Sequence, residues 1–134
     1  MLAFTCFSAA AISACFIPSG REIGEGAAVQ FHNQFNRERY REIYRQTNDI
    51  FKNSVSEDDF AVRLKIVRLR IGAVKQSNLS SWQVKDTPAG KIISLQFKTE
   101  FTEEDAVEDF VFAVSGDKAV LQGYKISSPL LDRK

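Results

Sequence analysis

The chain has few of the residues that build metal and redox sites. It contains two cysteines, Cys6 and Cys15, and one histidine, His32. Both cysteines lie near the N-terminus, so the rest of the chain offers a folded domain no disulfide and no cysteine-based metal site. No glycine-rich phosphate loop, nucleophile elbow or metal-ligand spacing occurs either. The sequence therefore predicts no metal, no cofactor and no assigned catalytic residue.

The chain also lacks an excess of either charge. It carries 18 basic and 17 acidic residues, which gives a formal net charge of +1. Proteins that bind nucleic acid need a clear basic excess to neutralise phosphates, so nucleic acid is not an expected partner. A length of 134 residues suits one domain with its own core, and 11 phenylalanines indicate that aromatic rings fill that core.

Charged side chains are absent between Leu2 and Ile17. This apolar run is short for a membrane-spanning helix, which needs about 20 apolar residues, and it has the composition of a secretory signal. Ile12-Ser13-Ala14-Cys15 resembles a bacterial lipobox, although no Lys or Arg precedes it. We therefore predict that residues 1–20 are a signal and tether with Cys15 as the lipidation site. A plain signal, an uncleaved anchor and a buried N-terminal element are the alternatives.

Two helices are predicted in the first half of the domain. The first, Glu22–Asn36, has an apolar stripe with His32 at its edge. The second begins at Ser56, an N-cap followed by acidic residues, and ends before Gly72. Residues 49–55, which precede it, are predicted to be a connector. The helix is apolar on two faces, which predicts that it is covered on two sides, one of them by the sheet. Its core-forming face consists of Phe60, Leu64, Val67 and Ile71. The face opposite its core-forming side is a candidate contact surface, which consists of Val62, Ile66 and Leu69.

Four strand-like segments follow, separated by turns, and the first covers residues 79–85. The second alternates apolar and polar residues from Lys91 to Phe101, and the third is apolar on both faces over its second half. Phe110 and Val111 of the third strand therefore join the candidate contact surface. Helices followed by an antiparallel meander predict an α+β fold, with N-terminal helices packed on one face of a curved four-stranded sheet. This is the arrangement of the cystatin-like, or nuclear-transport-factor-like, cone. We expect one domain over residues 21–128 and a tail over 129–134, with Pro129 ending the ordered structure.

One buried charge needs explanation at this stage. Glu108 is in phase with Phe110 and Phe112, and a carboxylate on an apolar face needs a partner. We predict that Arg68 of the second helix pairs with it.

Two charged clusters are interpreted as solvated surface. Carboxylates around the second turn, from Glu100 to Asp109, do not have the spacing of a calcium loop. Arginines at positions 37, 39, 41 and 45 alternate with Glu38 and Glu42, which favours an ion-paired helix over a site for lipid headgroups.

Positions along most of the chain resemble a family of uncharacterised bacterial exported proteins, a domain of unknown function that often occurs in lipoproteins. The resemblance spans roughly Ala28 to Ser127 and is carried by Tyr40, Phe51-Lys52, Val67-Arg68, Gly72, Leu95-Gln96-Phe97, Phe101, Glu108 and Gly123-Tyr124-Lys125-Ile126. It implies the fold and a location in the cell envelope, facing the periplasm or on the outer surface. It brings no established catalytic residues.

Two functions remain as hypotheses. The first is a non-enzymatic lipoprotein, anchored to a membrane, whose domain binds another envelope protein, a small apolar ligand or a second copy of itself. The second is a small ketosteroid-isomerase-like or polyketide-cyclase-like enzyme. Its pocket, between helices and sheet, would be lined by Trp82, Phe97, Phe112, Tyr124 and His32. An enzyme of this kind requires a buried titratable group that faces a void.

Overall fold

The computed structural model describes residues 18–133. Over this range the chain forms helices first and strands second, with one short helix at the end. The helices are α1 (Gly20–Asn36), α2 (Tyr40–Arg45), α3 (Asp49–Ser54), α4 (Glu57–Ile71) and α5 (Pro129–Asp132). The strands are β1 (Val74–Thr87), β2 (Gly90–Phe101), β3 (Asp105–Ser115) and β4 (Lys118–Ser127).

The ends of the two long helices follow from local chemistry. The side chain of Ser19 accepts a hydrogen bond from the backbone N–H of Glu22 and so caps α1. Ser56 caps α4 in the predicted way, by accepting from the N–H of Asp59. Gly72 ends α4 with a φ of 90°, a conformation that other residues rarely adopt. The predicted limits of α4 are therefore confirmed.

The four strands form one antiparallel sheet in the order β1-β2-β3-β4. Its register places Leu95, Phe110 and Tyr124 side by side across β2, β3 and β4. The same register pairs Phe97 with Glu108. These side chains point toward the helices, and the apolar face predicted for β2 is buried. The pairing of β1 is interrupted between Val74 and Gln76 and again between Leu79 and Ser81.

Helix α1 lies across the centre of the inner face of the sheet. Its glycines allow this close approach, because a β-carbon at Gly24 would lie 2.9 Å from Leu95 Cδ1. One turn further, Ala28 is also buried, and Phe31 and Phe35 then fill the space between α1 and the sheet. The helices and the sheet share one hydrophobic core. The predicted α+β fold, with helices packed against a four-stranded antiparallel sheet, is confirmed.

Three elements differ from the sequence prediction. Residues 49–55 were expected to be a connector, and Asp49–Ser54 instead forms α3. Asn48 caps this helix, because its side chain accepts from the N–H of Phe51. Strand β1 is longer than the predicted segment of 79–85. Pro129 does not end the ordered structure, because Ser128 caps α5 there by accepting from the N–H of Leu131. In addition, Glu104 accepts a hydrogen bond from the N–H of Leu130, which fixes α5 beside the β2–β3 turn.

Candidate functional site

Glu108 lies at the centre of β3, points toward the helices and is fully buried. A carboxylate in such a place is stable only when hydrogen bonds replace the water that it has lost. The structure supplies them from three separate elements. Glu108 is therefore the centre of a buried polar cluster.

The donors of this cluster come from α1, β2 and β4. His32 Nε2 lies 2.8 Å from Glu108 Oε1, and the hydroxyl of Thr99 donates to the same oxygen at 2.5 Å. The hydroxyl of Tyr124 donates to Oε2, also at 2.5 Å. Because a carboxylate only accepts hydrogen bonds, His32 donates from Nε2. We call His32, Thr99, Glu108 and Tyr124 the Glu108 cluster.

The predicted partner of Glu108 was wrong. Arg68 does not reach the carboxylate, because α1 rather than α4 covers the middle of β3. The Nε atom of Arg68 is buried without a hydrogen-bond partner among residues 18–133, and so is the hydroxyl of Tyr40. The pKa of Tyr40 is raised, mainly because the hydroxyl is buried and also because of the negative charge of Glu38. The nearby positive charge of Arg68 lowers the pKa and so offsets part of this increase.

Aromatic rings enclose the Glu108 cluster. The ring of Phe110 lies at the centre, 5.1 Å from Phe31, 5.7 Å from Phe97 and 5.0 Å from Tyr124 between centroids. It also lies 5.8 Å from the ring of His32 in an edge-on arrangement. These contacts exclude water and leave the polar groups facing one another, which strengthens their hydrogen bonds.

Tyr124 is the one residue of the cluster that is partly exposed, because His32, Thr99 and Glu108 are all buried. Its ring is half-buried, whereas its hydroxyl points inward to Glu108. Burial raises the pKa of Tyr124 well above its usual value, and the negative charge of Glu108 and the hydrogen bond to it raise the pKa further. The phenol is therefore neutral at physiological pH.

Alkaline pH tests this buried contact. The unfolded chain ionises Tyr124 near a pKa of about 10, and the folded chain does so only at higher pH. Below about pH 10 both states keep the proton, so the contribution to stability is fully present. Above that pH the unfolded state ionises first, and stability falls by up to about 1.4 kcal/mol per pH unit.

We therefore expect Tyr124→Phe to be less stable than the wild type by about 1.5–3 kcal/mol near neutral pH. The difference should shrink above about pH 10, because only the wild type loses the contribution of this phenol. Urea unfolding from about pH 8 to about pH 11 measures it. A difference that stays constant over this range would contradict the buried position of the hydroxyl.

A groove lies next to the cluster, between α3, α4 and β4. It has a volume of about 450 Å³. Tyr124 belongs both to its lining and to the Glu108 cluster. Most of the lining is aromatic or aliphatic, and the full set is Phe51, Ser54, Val55, Phe60, Arg63, Leu64, Val67, Gly123, Tyr124 and Ile126. We call this feature the α4–β4 groove.

The pocket predicted from the sequence differs from this groove in most of its residues. Phe97 and Phe112 are buried in the core and do not line it. Trp82 is 51% exposed and lies under the guanidinium of Arg21, 5.8 Å from its ring centre, because β1 extends beyond the edge of α1. His32 is buried behind the groove, and of the five predicted residues only Tyr124 lines it.

The predicted contact surface is divided by the structure. Phe110 is fully buried in the core, so it is not a surface residue. Its neighbour Val111 points to the opposite face of the sheet and is half-buried. The second apolar face of α4 is exposed, with Leu69 at 75%, and its members are Val62, Ile66 and Leu69.

The charged clusters are placed on the surface. Arg41 donates to Asp58 at 2.7 Å, and Arg45 donates to Glu57 at 3.1 Å. These pairs join α2 to the first turn of α4, whereas the expected partners were Glu38 and Glu42. Glu42 does pair with an arginine of the cluster, Arg39, at 3.6 Å. Within residues 18–133 no group of three His, Cys, Asp or Glu side chains is arranged to hold a metal ion.

Two features of the sequence could have identified the Glu108 cluster. Thr99, like Glu108, is a polar residue in phase with the apolar face of its strand, between Phe97 and Phe101. The short turn after Phe101 brings these two strands into register, so Thr99 and Glu108 have to lie close together. The groove itself has no such signal, because it depends on the distance between α4 and β4.

These features define a small α+β protein with an open four-stranded antiparallel sheet, a buried carboxylate cluster and an adjoining apolar groove. Residues 24–124 match a family described as a protein of unknown function, DUF4019, and the chain belongs to that family. The match contains Glu108 and each other member of the cluster, together with most of the groove. No curated protein sequence matches the chain. None of the helices among residues 18–133 is long and apolar enough to cross a membrane.

Proposed function

We propose that this protein is a non-enzymatic binding module that holds a small apolar ligand in the α4–β4 groove. The observation that carries the proposal is the groove itself, where Phe51, Phe60, Leu64 and Val67 face Tyr124 across an open space. Its volume of about 450 Å³ lies within the range of small-molecule sites. The buried core behind it gives the groove a rigid floor.

A second depression on the surface suits an apolar ligand less well. It lies beside the β2–β3 turn and, at about 510 Å³, is larger than the groove, but its lining includes Lys98, Glu100, Asp105 and Asp132. An apolar ligand would gain little there, because it would have to displace the hydration of these charges. The groove has one charged residue in its lining, Arg63.

The enzyme hypothesis is the weaker proposal. The Glu108 cluster contains the titratable groups that an acid–base enzyme needs, but Glu108 and His32 are buried and bonded to each other. Tyr124 is the member that lines the groove, and its hydroxyl is turned away toward Glu108. The phenylalanines between α1 and the sheet fill the space where a substrate would have to enter. These contacts favour binding without chemistry.

The proposal includes a lipid anchor at Cys15, which lies outside the described residues. Its support is the sequence alone, in the apolar run followed by Ser13-Ala14-Cys15. Because α1 begins at Gly20, an extended tether of these few residues reaches at most about 18 Å. A domain held in this way stays close to the membrane of the cell envelope.

We expect the full chain to bind N-phenyl-1-naphthylamine, a neutral apolar fluorophore, in a saturable manner. Val55→Phe, which adds a ring to the groove, should weaken the affinity about tenfold or more, because it fills the space that the probe needs. Val29→Phe is the matched control, since Val29 is exposed on α1 outside the groove. Fluorescence titration measures both, and urea unfolding checks that each variant is folded. A folded Val55→Phe with wild-type affinity would overturn the groove as the binding site.

The anchor has its own test. We expect cells that express the full chain to incorporate a clickable fatty acid into the protein, and Cys15→Ala to abolish the label. Cys6→Ala serves as the control, because it removes the other cysteine. An unlabelled wild type, or a label that survives Cys15→Ala, would exclude lipidation at this position.

A further inference from the structure

Arg63 is the charged residue in the lining of the α4–β4 groove. It lies one turn from Phe60 and one turn from Val67, so its side chain extends along the same edge of α4. The neighbouring arginines Arg41 and Arg45 are paired with carboxylates on the first turn of α4. Arg63 is exposed, and within residues 18–133 no carboxylate lies within ion-pair distance of it. Its guanidinium is therefore free to bind a ligand.

The floor of the groove has the opposite character. Tyr124 contributes a neutral ring there, and its hydroxyl is already bonded to Glu108. The carboxylate of Glu108, which accepts this hydrogen bond, disfavours a second negative charge nearby. Ile126 and Leu64 extend the apolar lining beside Tyr124. A ligand with an apolar part and an anionic part would thus place the apolar part on the floor and the anion at Arg63.

We infer that the ligand of the groove is a single-chain organic acid of the fatty-acid type, with its carboxylate on Arg63 and its chain over Tyr124. This inference rests on the proposed binding function and deepens it. A guanidinium and a carboxylate form paired, charge-assisted hydrogen bonds, which suits this headgroup. The volume of about 450 Å³ is at the lower end of the range for small-molecule sites, so it suits one chain of medium length rather than a two-chain lipid.

The test compares decanoate with decanol, which has the same chain and no charge. Each compound is titrated against N-phenyl-1-naphthylamine bound to the full chain, near neutral pH. The concentration of decanoate is kept below the one at which decanoate forms micelles. We expect decanoate to bind about fivefold more tightly than decanol to the wild type. Arg63→Gln should remove this preference by weakening decanoate alone, and Arg63→Lys should keep part of it.

Arg37→Gln is the matched control, because Arg37 is an exposed arginine outside the groove and its loss changes the net charge equally. It should leave the preference for decanoate unchanged. If decanol binds the wild type as tightly as decanoate, or if Arg63→Gln keeps the preference, the inference fails while the apolar groove stands. If neither compound displaces the probe from the wild type, the inference and the proposed function both fail.

Discussion

Replacing Glu108 with leucine is expected to lower the free energy of unfolding by about 3–5 kcal/mol. Leucine fits the apolar surroundings, but it leaves the donors of His32, Thr99 and Tyr124 buried without an acceptor. Each of these groups then carries the full cost of its lost hydration. Urea unfolding at neutral pH, followed by circular dichroism, measures the change.

Two variants sharpen this experiment. Glu108→Gln keeps the shape and one acceptor oxygen, so it should cost less than the leucine variant and remain folded if the latter does not. Glu100→Leu is the matched control on the same sheet, because Glu100 is half-exposed and pairs only with Lys75 at 3.2 Å. An exposed pair contributes less than about 1 kcal/mol. Equal losses for Glu108→Leu and Glu100→Leu would show that the Glu108 cluster does not stabilise the fold.

Replacing Phe110 with alanine is expected to lower the free energy of unfolding by about 3–5 kcal/mol. The ring is fully buried and contacts aromatic side chains from α1, β2 and β4, so its removal leaves a cavity that the rigid surroundings cannot close. The midpoint of urea unfolding measures this loss.

Leu69→Ala is the control for this second experiment, because it removes an apolar side chain of similar kind from an exposed place on α4. Its effect should stay within about 0.5 kcal/mol of zero. Sedimentation at high concentration adds a second readout. If Phe110 were a contact residue, Phe110→Ala would change self-association and leave the stability of the monomer nearly unchanged, which would contradict its place in the core.

The elements that the sequence predicts well are those whose signals are local. Ser56 and Gly72 mark the ends of α4 through a cap and a positive φ. The alternation in β2 predicts which side chains are buried, because successive residues of a strand point to opposite faces. All of these signals depend only on residues that are close together in the sequence.

The position of the helices on the sheet is harder to predict, because it depends on contacts between residues that are far apart in the sequence. The predicted Arg68–Glu108 pair required α4 to pack against the sheet at Glu108. The small residues Gly20, Gly24 and Ala28, spaced one turn apart on α1, favour α1 in that place instead. They permit a close approach to β2, and the close approach places His32 above Glu108. The periodicity of a helix shows which residues share a face, but it does not show which element that face packs against.

The groove could be predicted even less. Phe60, Leu64 and Val67 form the apolar face that α4 was expected to turn toward the sheet. These residues are buried, and the sequence does not show that a groove remains beside them, because that depends on how α4 is placed relative to β4. Phe51 of α3 lies 5.1 Å from Phe60 between ring centroids and lines the same groove. The residues were thus correctly grouped, while the open space between them was not predicted.

The two interruptions of β1 have a consequence for how the protein behaves when crowded. β1 is an edge strand of 14 residues, so the N–H and C=O groups along its free side are open to another chain. A regular strand of that length would offer one continuous template for fibril growth. The irregularities between Val74 and Gln76 and between Leu79 and Ser81 break the template into short, differently directed pieces. The chain therefore carries its own protection against templated aggregation along the free edge of β1.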